Sequence, residues 1–438
     1  MSLKRKATIG LKKNWRNSMS TILENTHAFT KGLMPTRIAL DEDVIDQAIN
    51  SLRTTELPTT RTEAWKYTRV AKLARVEYTN DVAVVPNMDS YLIDKDAVTF
   101  VFVNGHFSAQ LSDREIPAGV TCKNLSTCTK EELSRSNITP EGEIFNALNT
   151  VYLTDGMWID IAPKTVLENP IQVIHIIKGN KELSNFRTII TAGAFSKASI
   201  IQGFFAEDAE ETFTNSVSEI FVKDNAFLTI DKVQFEGETS SHISTEQVDQ
   251  GNNSTFTINT VTLNGLLVRN NLNIAVSGQN CTTNLNGTYL LKGKQHVDNH
   301  TIVDHLVPNC NSNELYKGVI DDKATAVFNG KVFVRKDAQK INAFQSNANV
   351  LLTDTATVNS KPELEIYADD VKCSHGSTTG QLDEEAVFYL RTRGISEKSA
   401  RKMIVGAFIG EVIEKIADEN VTDFVHVLLK DRFGWNID

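Results

Sequence analysis

Between about residue 150 and residue 380 the chain is written in short apolar-polar alternations, and this pattern limits its fold more than any other feature. Ala198 and Ile200, Leu228 and Ile230, and Phe256 and Ile258 each alternate with polar neighbours, so each run turns one face inward. Ile171 to Ile177 is the first such run. Ile200, Ile230 and Ile258 lie about 28–30 residues apart, a loose period without repeated letters. After two of these anchors the alternation changes phase, to Val233 and Phe235 and to Val261 and Leu263, as a corner between two short strands would require. Asn, Thr, Ser and Gly gather between the runs and supply turns. Short strands, polar turns and a loose period predict a β-solenoid rather than a closed barrel, with a large sandwich as the alternative.

The flanks read differently. Val44, Ile45, Ala48, Ile49 and Leu52 recur at helical spacing from Asp41 to Arg53, and Pro58 and its Thr-rich surroundings end that region. An aromatic and charged octet, Arg61-Thr62-Glu63-Ala64-Trp65-Lys66-Tyr67-Thr68, follows. Residues 97–103 read as a buried strand stopped by Asn104-Gly105. At the other end Asp383 is placed to cap a helix from Glu384 to Arg393 that Gly394 closes, and Ser396 to cap a second. Ala400, Met403, Ile404, Ala407, Phe408 and Val412 form its stripe, running on to Ile416; Phe424, Val427 and Leu428 form a third stripe. The expected architecture is mainly β: a β-solenoid core over 151–380, an N-terminal mixed α/β domain over 41–150 and a C-terminal helical domain over 381–438. Residues 1–40 form a basic tail carrying Lys4, Arg5, Lys6, Lys12, Lys13 and Arg16. The helical unit is small enough to need the solenoid or a partner for stability.

Several function classes drop out. With 45 Lys+Arg against 55 Asp+Glu the chain carries a net −10, which argues against nucleic-acid backbone binding. No apolar run reaches the roughly 18 residues that would span a bilayer, and no apolar segment follows the basic N-terminus as a secretory signal would need, which reads as a cytoplasmic protein. The five cysteines, Cys122, Cys128, Cys281, Cys310 and Cys373, are scattered without a CxxC pair, so neither a disulfide framework nor a zinc site is expected. Gly293-Lys294 resembles the tail of a P-loop, but Thr288 stands at its first glycine and Gln295 at its Ser/Thr. No GxSxG, HExxH or GxGxxG occurs.

Two constellations remain. In Leu364-Glu365-Ile366-Tyr367-Ala368-Asp369-Asp370-Val371-Lys372-Cys373-Ser374-His375-Gly376 an extended chain would put Cys373 and His375 on one face. A thiolate beside an imidazole suits iron or an iron-sulfur species. The alternative makes Cys373 a small buried apolar residue and His375 a turn residue before Gly376. The second constellation is His296, Asp298, His300, Asp304 and His305, either transition-metal ligands or an internal polar ladder of a solenoid. Trp65 and Tyr67 read as packing over a domain edge in preference to a ligand platform.

The run from Lys361-Pro362-Glu363 through Gly376, continued by Gln381-Leu382-Asp383-Glu384-Glu385 and by Phe388-Tyr389-Leu390-Arg391-Thr392-Arg393-Gly394-Ile395, closely resembles the SufD family. These are subunits of the Suf iron-sulfur cluster assembly machinery, related to the sister subunit SufB. The 61–68 octet resembles the family's N-terminal signature, and the likeness spans about residues 56–417. The resemblance implies a right-handed parallel β-helix that pairs with SufB, and C-terminal helices, about 384–416, that bind a SufC ATPase. It implies a scaffold subunit rather than an enzyme, with ATP on SufC and iron or a nascent cluster passing transiently through the SufB–SufD interface. Cys373 and His375 match interface positions, the histidine being the stronger candidate for iron entry or cluster assembly. No cluster is expected to stay on the isolated chain, and an edge shaped for a homologous sister also allows a homodimer. A β-helix carbohydrate-active protein is the alternative class, and would call for a secretory signal and carboxylates along one solenoid face. The SufB-like sister would call for a longer chain and more core cysteines.

Overall fold

The three anchors stack. In the computed structural model, which describes residues 30–85, 87–113, 115–134 and 143–434, Ile171, Ile200, Ile230, Ile258 and Leu285 are successive register partners on neighbouring parallel strands. The basic residues Lys4 to Arg16 of the expected tail lie outside the described residues. Each turn of chain adds one strand to each of two sheets, ten strands in the first and nine in the second among the described residues. Pairing is parallel except at the starting edge, where His106–Phe107 and Val120–Asn124 run antiparallel to their neighbours. The molecule is a parallel β-helix with helices at either end of the chain. No helix among the described residues is long and apolar enough to cross a membrane.

Val98–Val103, which the sequence reading puts in the N-terminal domain, pairs in parallel with Ile171–Asn180, so the first sheet starts well before residue 151. The rest of the N-terminal region lies alongside: helix α1 (Glu42–Thr54), capped by Asp41, the short α2 (Lys130–Leu133) and α3 (Ile144–Val151). One corner of the helix explains the asparagines between the runs. Asn225, Asn253, Asn280 and Asn309 all adopt left-handed backbone angles, φ 55 to 65°, which asparagine tolerates better than most residues. From there Asn225, Asn253 and Asn309 send their backbone N–H to carbonyls of the next turn, at 2.7–2.9 Å.

The phase shifts are not corners. Phe227–Phe235 and Thr255–Asn264 pass straight through them as single strands. Ile230 and Ile258 face the interior, whereas Val233, Val261 and Leu263 face outward and are buried by a second layer. That layer includes α4 (Glu384–Thr392), α5 (Glu397–Ile413) and α6 (Glu419–Phe433). Asp383 caps α4 by accepting from the N–H groups of Glu385 and Ala386 at 3.0 Å, and Ser396 caps α5. The buried face of α5 is Ala400, Val405, Ile409, Val412 and Ile413, while Met403 and Ala407 from the expected stripe are exposed. In α6 Val421, Val425, Leu428 and Leu429 are buried and Val427 is exposed. Both helices carry apolar residues on more than one side, and spacing alone does not choose between faces.

Candidate functional site

Thr357–Ile366 and Val371–Gln381 are the last strands of the two sheets. Each is paired on one side only, which leaves a row of backbone donors and acceptors on the other. Their residues are half-buried or exposed, where a strand such as Phe213–Val222 in the middle of the stack is almost wholly buried. The 361–376 run is therefore not one extended strand: it leaves the second sheet at Ile366 and enters the first at Val371.

Cys373 and His375 share the second of these strands and, two residues apart, one face of it. Cys373 continues the register column Phe256, Thr283, Ser312, Ala343; His375 continues Ile258, Leu285, Glu314, Gln345. Both columns begin in the apolar interior, so both residues stand at the inner side of the open end. Cys373 packs on the core, and burial pushes its thiol up, which disfavours the thiolate. His375 sits in mid-strand rather than in a turn, is exposed, and its ring makes no hydrogen bond among the described residues. On the outer face Ser374 helps to line a groove of ≈ 660 Å³ with Asn284, Asn313, Phe344 and, from α5, Glu411. No group of three or more His, Cys, Asp or Glu among the described residues is placed to hold a metal ion. One thiol and one imidazole are by themselves too few donors to close a metal or cluster site.

Beneath this end the interior turns polar. Gln345 Nε2 donates to Glu314 Oε2 at 2.6 Å, and the Thr301 hydroxyl donates to Glu314 Oε1 at 2.5 Å. Burial pushes the Glu314 carboxyl up to about 7. Gln345 Oε1 is buried without a partner. In the adjoining columns the Tyr289 hydroxyl donates to Asn349 at 2.7 Å, Ser360 to Asn347 at 2.9 Å, and Ser377 meets Ser360 at 2.7 Å, so the polar line reaches the rim. Deeper in, Lys232 Nζ donates to Glu246 at 2.6 Å, Ser244 at 2.7 Å and Asn270 at 3.1 Å. Glycines make room for this lining: a Cβ on Gly318 would lie 2.1 Å from the Tyr289 ring. Sequence reasoning missed Glu314 and Gln345. The available signal was their place one and two periods after Leu285.

The second constellation divides. His296, Asp298 and His300 point outward from the second sheet, beneath the 61–68 octet, and do not form an internal ladder. The Thr68 hydroxyl donates to Asp298 Oδ2, so His296 Nε2–H donates to Thr68 Oγ1, at 2.9 Å. Arg269 donates to Asp298 Oδ2 at 2.6 Å and to the Ala64 carbonyl at 2.8 Å, its guanidinium 3.7 Å from the centre of the Trp65 ring. His300 Nε2 lies 3.1 Å from Asp298 Oδ1. Burial alone would raise the Asp298 carboxyl, but Arg269, His300 and the Thr68 hydroxyl together hold it well below the usual carboxylate range. His305 points inward and meets Ser312 at 3.0 Å, while Asp304 pairs with Arg335 at the surface. This arrangement clamps the octet to the solenoid. Trp65 is buried as packing, Tyr67 is exposed, and Glu63 reaches Lys361 of the last second-sheet strand at 2.8 Å.

Comparison with known proteins matches the sequence to one family along most of the chain. The SufBD core domain of the SUF system for FeS cluster assembly matches residues 175–408, and the SufBD protein N-terminal region matches residues 38–173. An iron-sulfur cluster assembly SufBD family protein of Synechocystis sp. is 33% identical over 84% of this chain and 86% of its own length. The iron-sulfur cluster assembly protein SufD of Escherichia coli is 30% identical over 88% of this chain and 92% of its own length. Protein ABCI7 of the Arabidopsis thaliana chloroplast is 30% identical over 86% of this chain and 83% of its own length. With both family regions matched in order across the solenoid and the segment before it, the chain belongs to the SufBD family of iron-sulfur cluster assembly proteins.

Proposed function

We propose that this chain is a non-catalytic subunit of a Suf-type complex, whose open solenoid end pairs with a SufB sister subunit. The observation that carries the reading is the uncapped last strand bearing His375. Unpaired strand edges recruit a second strand, and an exposed imidazole beside them supplies one ligand to cargo held between two chains. Iron or a nascent cluster is that cargo, transient in the complex and not retained by the isolated subunit. His375 is the contributor, and Cys373 serves chiefly as packing because burial keeps its thiol protonated. ATP is hydrolysed on a SufC partner, which docks on the helical segment 384–416, where Phe388, Tyr389 and Met403 expose apolar surface. Five free cysteines accord with work in a reducing cytoplasm.

The test is anaerobic reconstitution with SufB and SufC, comparing wild type with His375→Ala. Assembly should survive the substitution and cluster formation should fall; equal cluster yields would sink the role of His375. For the ATPase surface, Phe388→Asp with Met403→Asp is a cleaner variant than deletion, because deletion would uncover Val233 and Val261. Retention of SufC by that variant would remove the surface from the reading.

A further inference from the structure

We infer that Gln345 and Glu314 are positioning residues for His375, linked as His375 N–H to Gln345 Oε1 and Gln345 Nε2–H to Glu314 Oε2. The inference rests on the reading of His375 as a ligand to cargo, and names what fixes its ring. Three observations carry it. Glu314, Gln345 and His375 are successive register partners in one inward column, each a single strand spacing from the next. The lower bond of the relay is already made, at 2.6 Å, and the Thr301 hydroxyl holds the other oxygen of Glu314. The upper bond is missing at both ends: Gln345 Oε1 is buried with no partner, and the His375 ring makes no hydrogen bond among the described residues.

An acceptor left unpaired in the interior costs stability unless something satisfies it. Above about pH 7, where Glu314 is a carboxylate, the amide that gives its Nε2–H to Glu314 cannot flip without facing its NH2 into the void and its oxygen onto an anion. Its free valence is therefore an acceptor and not a donor. While the end is open, water can satisfy the His375 ring. Once a partner strand covers the end, that water leaves, and the ring N–H needs an acceptor. Gln345 Oε1 is the free acceptor next in register. A histidine that donates one ring N–H to a fixed acceptor is held in one tautomer and one orientation, with the lone pair of its other nitrogen directed at the cargo. Glu314 acts one step further back, because its two donors keep the Gln345 amide turned the right way round.

The test uses the assembled complex, with only this chain carrying 15N-labelled histidine, and reads the His375 ring nitrogens by magic-angle-spinning NMR. Wild type should show one tautomer; Gln345→Leu should show mixed tautomers; Glu314→Gln should keep the wild-type pattern, since a glutamine oxygen still accepts from Gln345. Retention of added ferrous iron by the same complexes should fall about 10- to 100-fold for Gln345→Leu, the usual cost of losing an outer partner of a ligand histidine. If Gln345→Leu folds poorly because Glu314 is stranded, the double variant Gln345→Leu/Glu314→Leu removes both groups and carries the same expectation. Unchanged ring signals in either leucine variant overturn the inference. Should His375→Ala retain iron like wild type, the ligand reading fails, and the tautomer pattern still decides whether the relay exists.

Discussion

The middle turns of the solenoid and its last two strands follow one backbone plan and differ in what surrounds them. Through the middle, strands are buried on both faces, inward against the shared core and outward under the helices or the N-terminal segment. In Thr357–Ile366 and Val371–Gln381 the columns continue in register, but the outer face and one edge are open. Identical pairing therefore serves stability in one place and leaves an edge free in the other, the edge on which the proposed pairing with a second chain rests. A solenoid stabilised turn by turn can leave its last turn under-covered, because each turn depends mainly on its neighbours.

The sharpest separation should come from charge. Lys232 is buried with Glu246, and Lys232→Met strands that carboxylate in the interior. A loss of about 3–5 kcal/mol is expected in denaturant unfolding. Lys232→Met combined with Glu246→Leu should recover most of it, since the cost lies in the stranded charge. At the end strand Lys372→Met should leave the unfolding midpoint in place. A large loss there would mean that the isolated chain already covers its own end.

Glu314 lies where the two regions meet, and its effect depends on pH. Burial raises its folded value to about 7 from an ordinary 4.5, so between those pH values the folded state holds more protons than the unfolded one. Its contribution is fully present below pH 4.5 and is lost as pH rises through about 7. The loss is on the order of 3 kcal/mol. Glu314→Gln does not ionise, so relative to wild type it should gain stability from about pH 4.5 to about pH 7 and hold that gain at higher pH. Parallel stability curves for the two proteins would show that water or a cation reaches Glu314 and that the interior under the end is not dry.

How much of this was legible in the sequence follows from the same contrast. The inward columns announce themselves because an apolar residue returns with each turn, and Ile200, Ile230 and Ile258 gave the period directly. Helix ends were equally plain, since Asp383, Ser396 and Gly394 act through their own neighbours. Burial from outside was not legible: Val233 and Val261 read as a change of direction because the covering helices lie more than a hundred residues away in sequence. His296 and Asp298 were misplaced for a similar reason, as their partners Thr68 and Ala64–Trp65 come from the far N-terminal side. Cys373 and His375 were found as a pair on one face, but through a strand that begins at Val371 and not through the longer extension from Leu364. Glu314 and Gln345 stayed hidden because an acid and an amide in a β-rich sequence read as surface unless the register is known.

Packing gives the next effect in size. Gly318 faces the Tyr289 ring so closely that a Cβ would lie 2.1 Å from it, and Asn349 closes the other side at 2.6 Å. The ring cannot swing away freely, because its hydroxyl is tied to Asn349 and Asn347. Gly318→Ala should therefore cost about 1–3 kcal/mol, with the ring forced off its preferred rotamer. A neutral result would mean that the interior has slack, and with it the rigidity assumed for the polar columns would go.

The same substitution at Gly376 should change sign. Nothing lies within 4 Å of where its Cβ would sit, and it does not take the left-handed angle that would demand glycine. Glycine inside a strand loses more chain entropy on folding than alanine does, so Gly376→Ala should leave the isolated chain as stable or stabilise it by about 0.5–1 kcal/mol. The chain's own packing thus gives Gly376 no task. Its neighbours do: it follows His375 on an edge where a second backbone would approach. If the proposed pairing with SufB holds, a methyl group harmless in the free subunit should weaken its capture in a titration of one against the other. If Gly376→Ala instead destabilises the free chain, the end is already packed, and the contrast between closed middle and open rim fails at its most exposed residue.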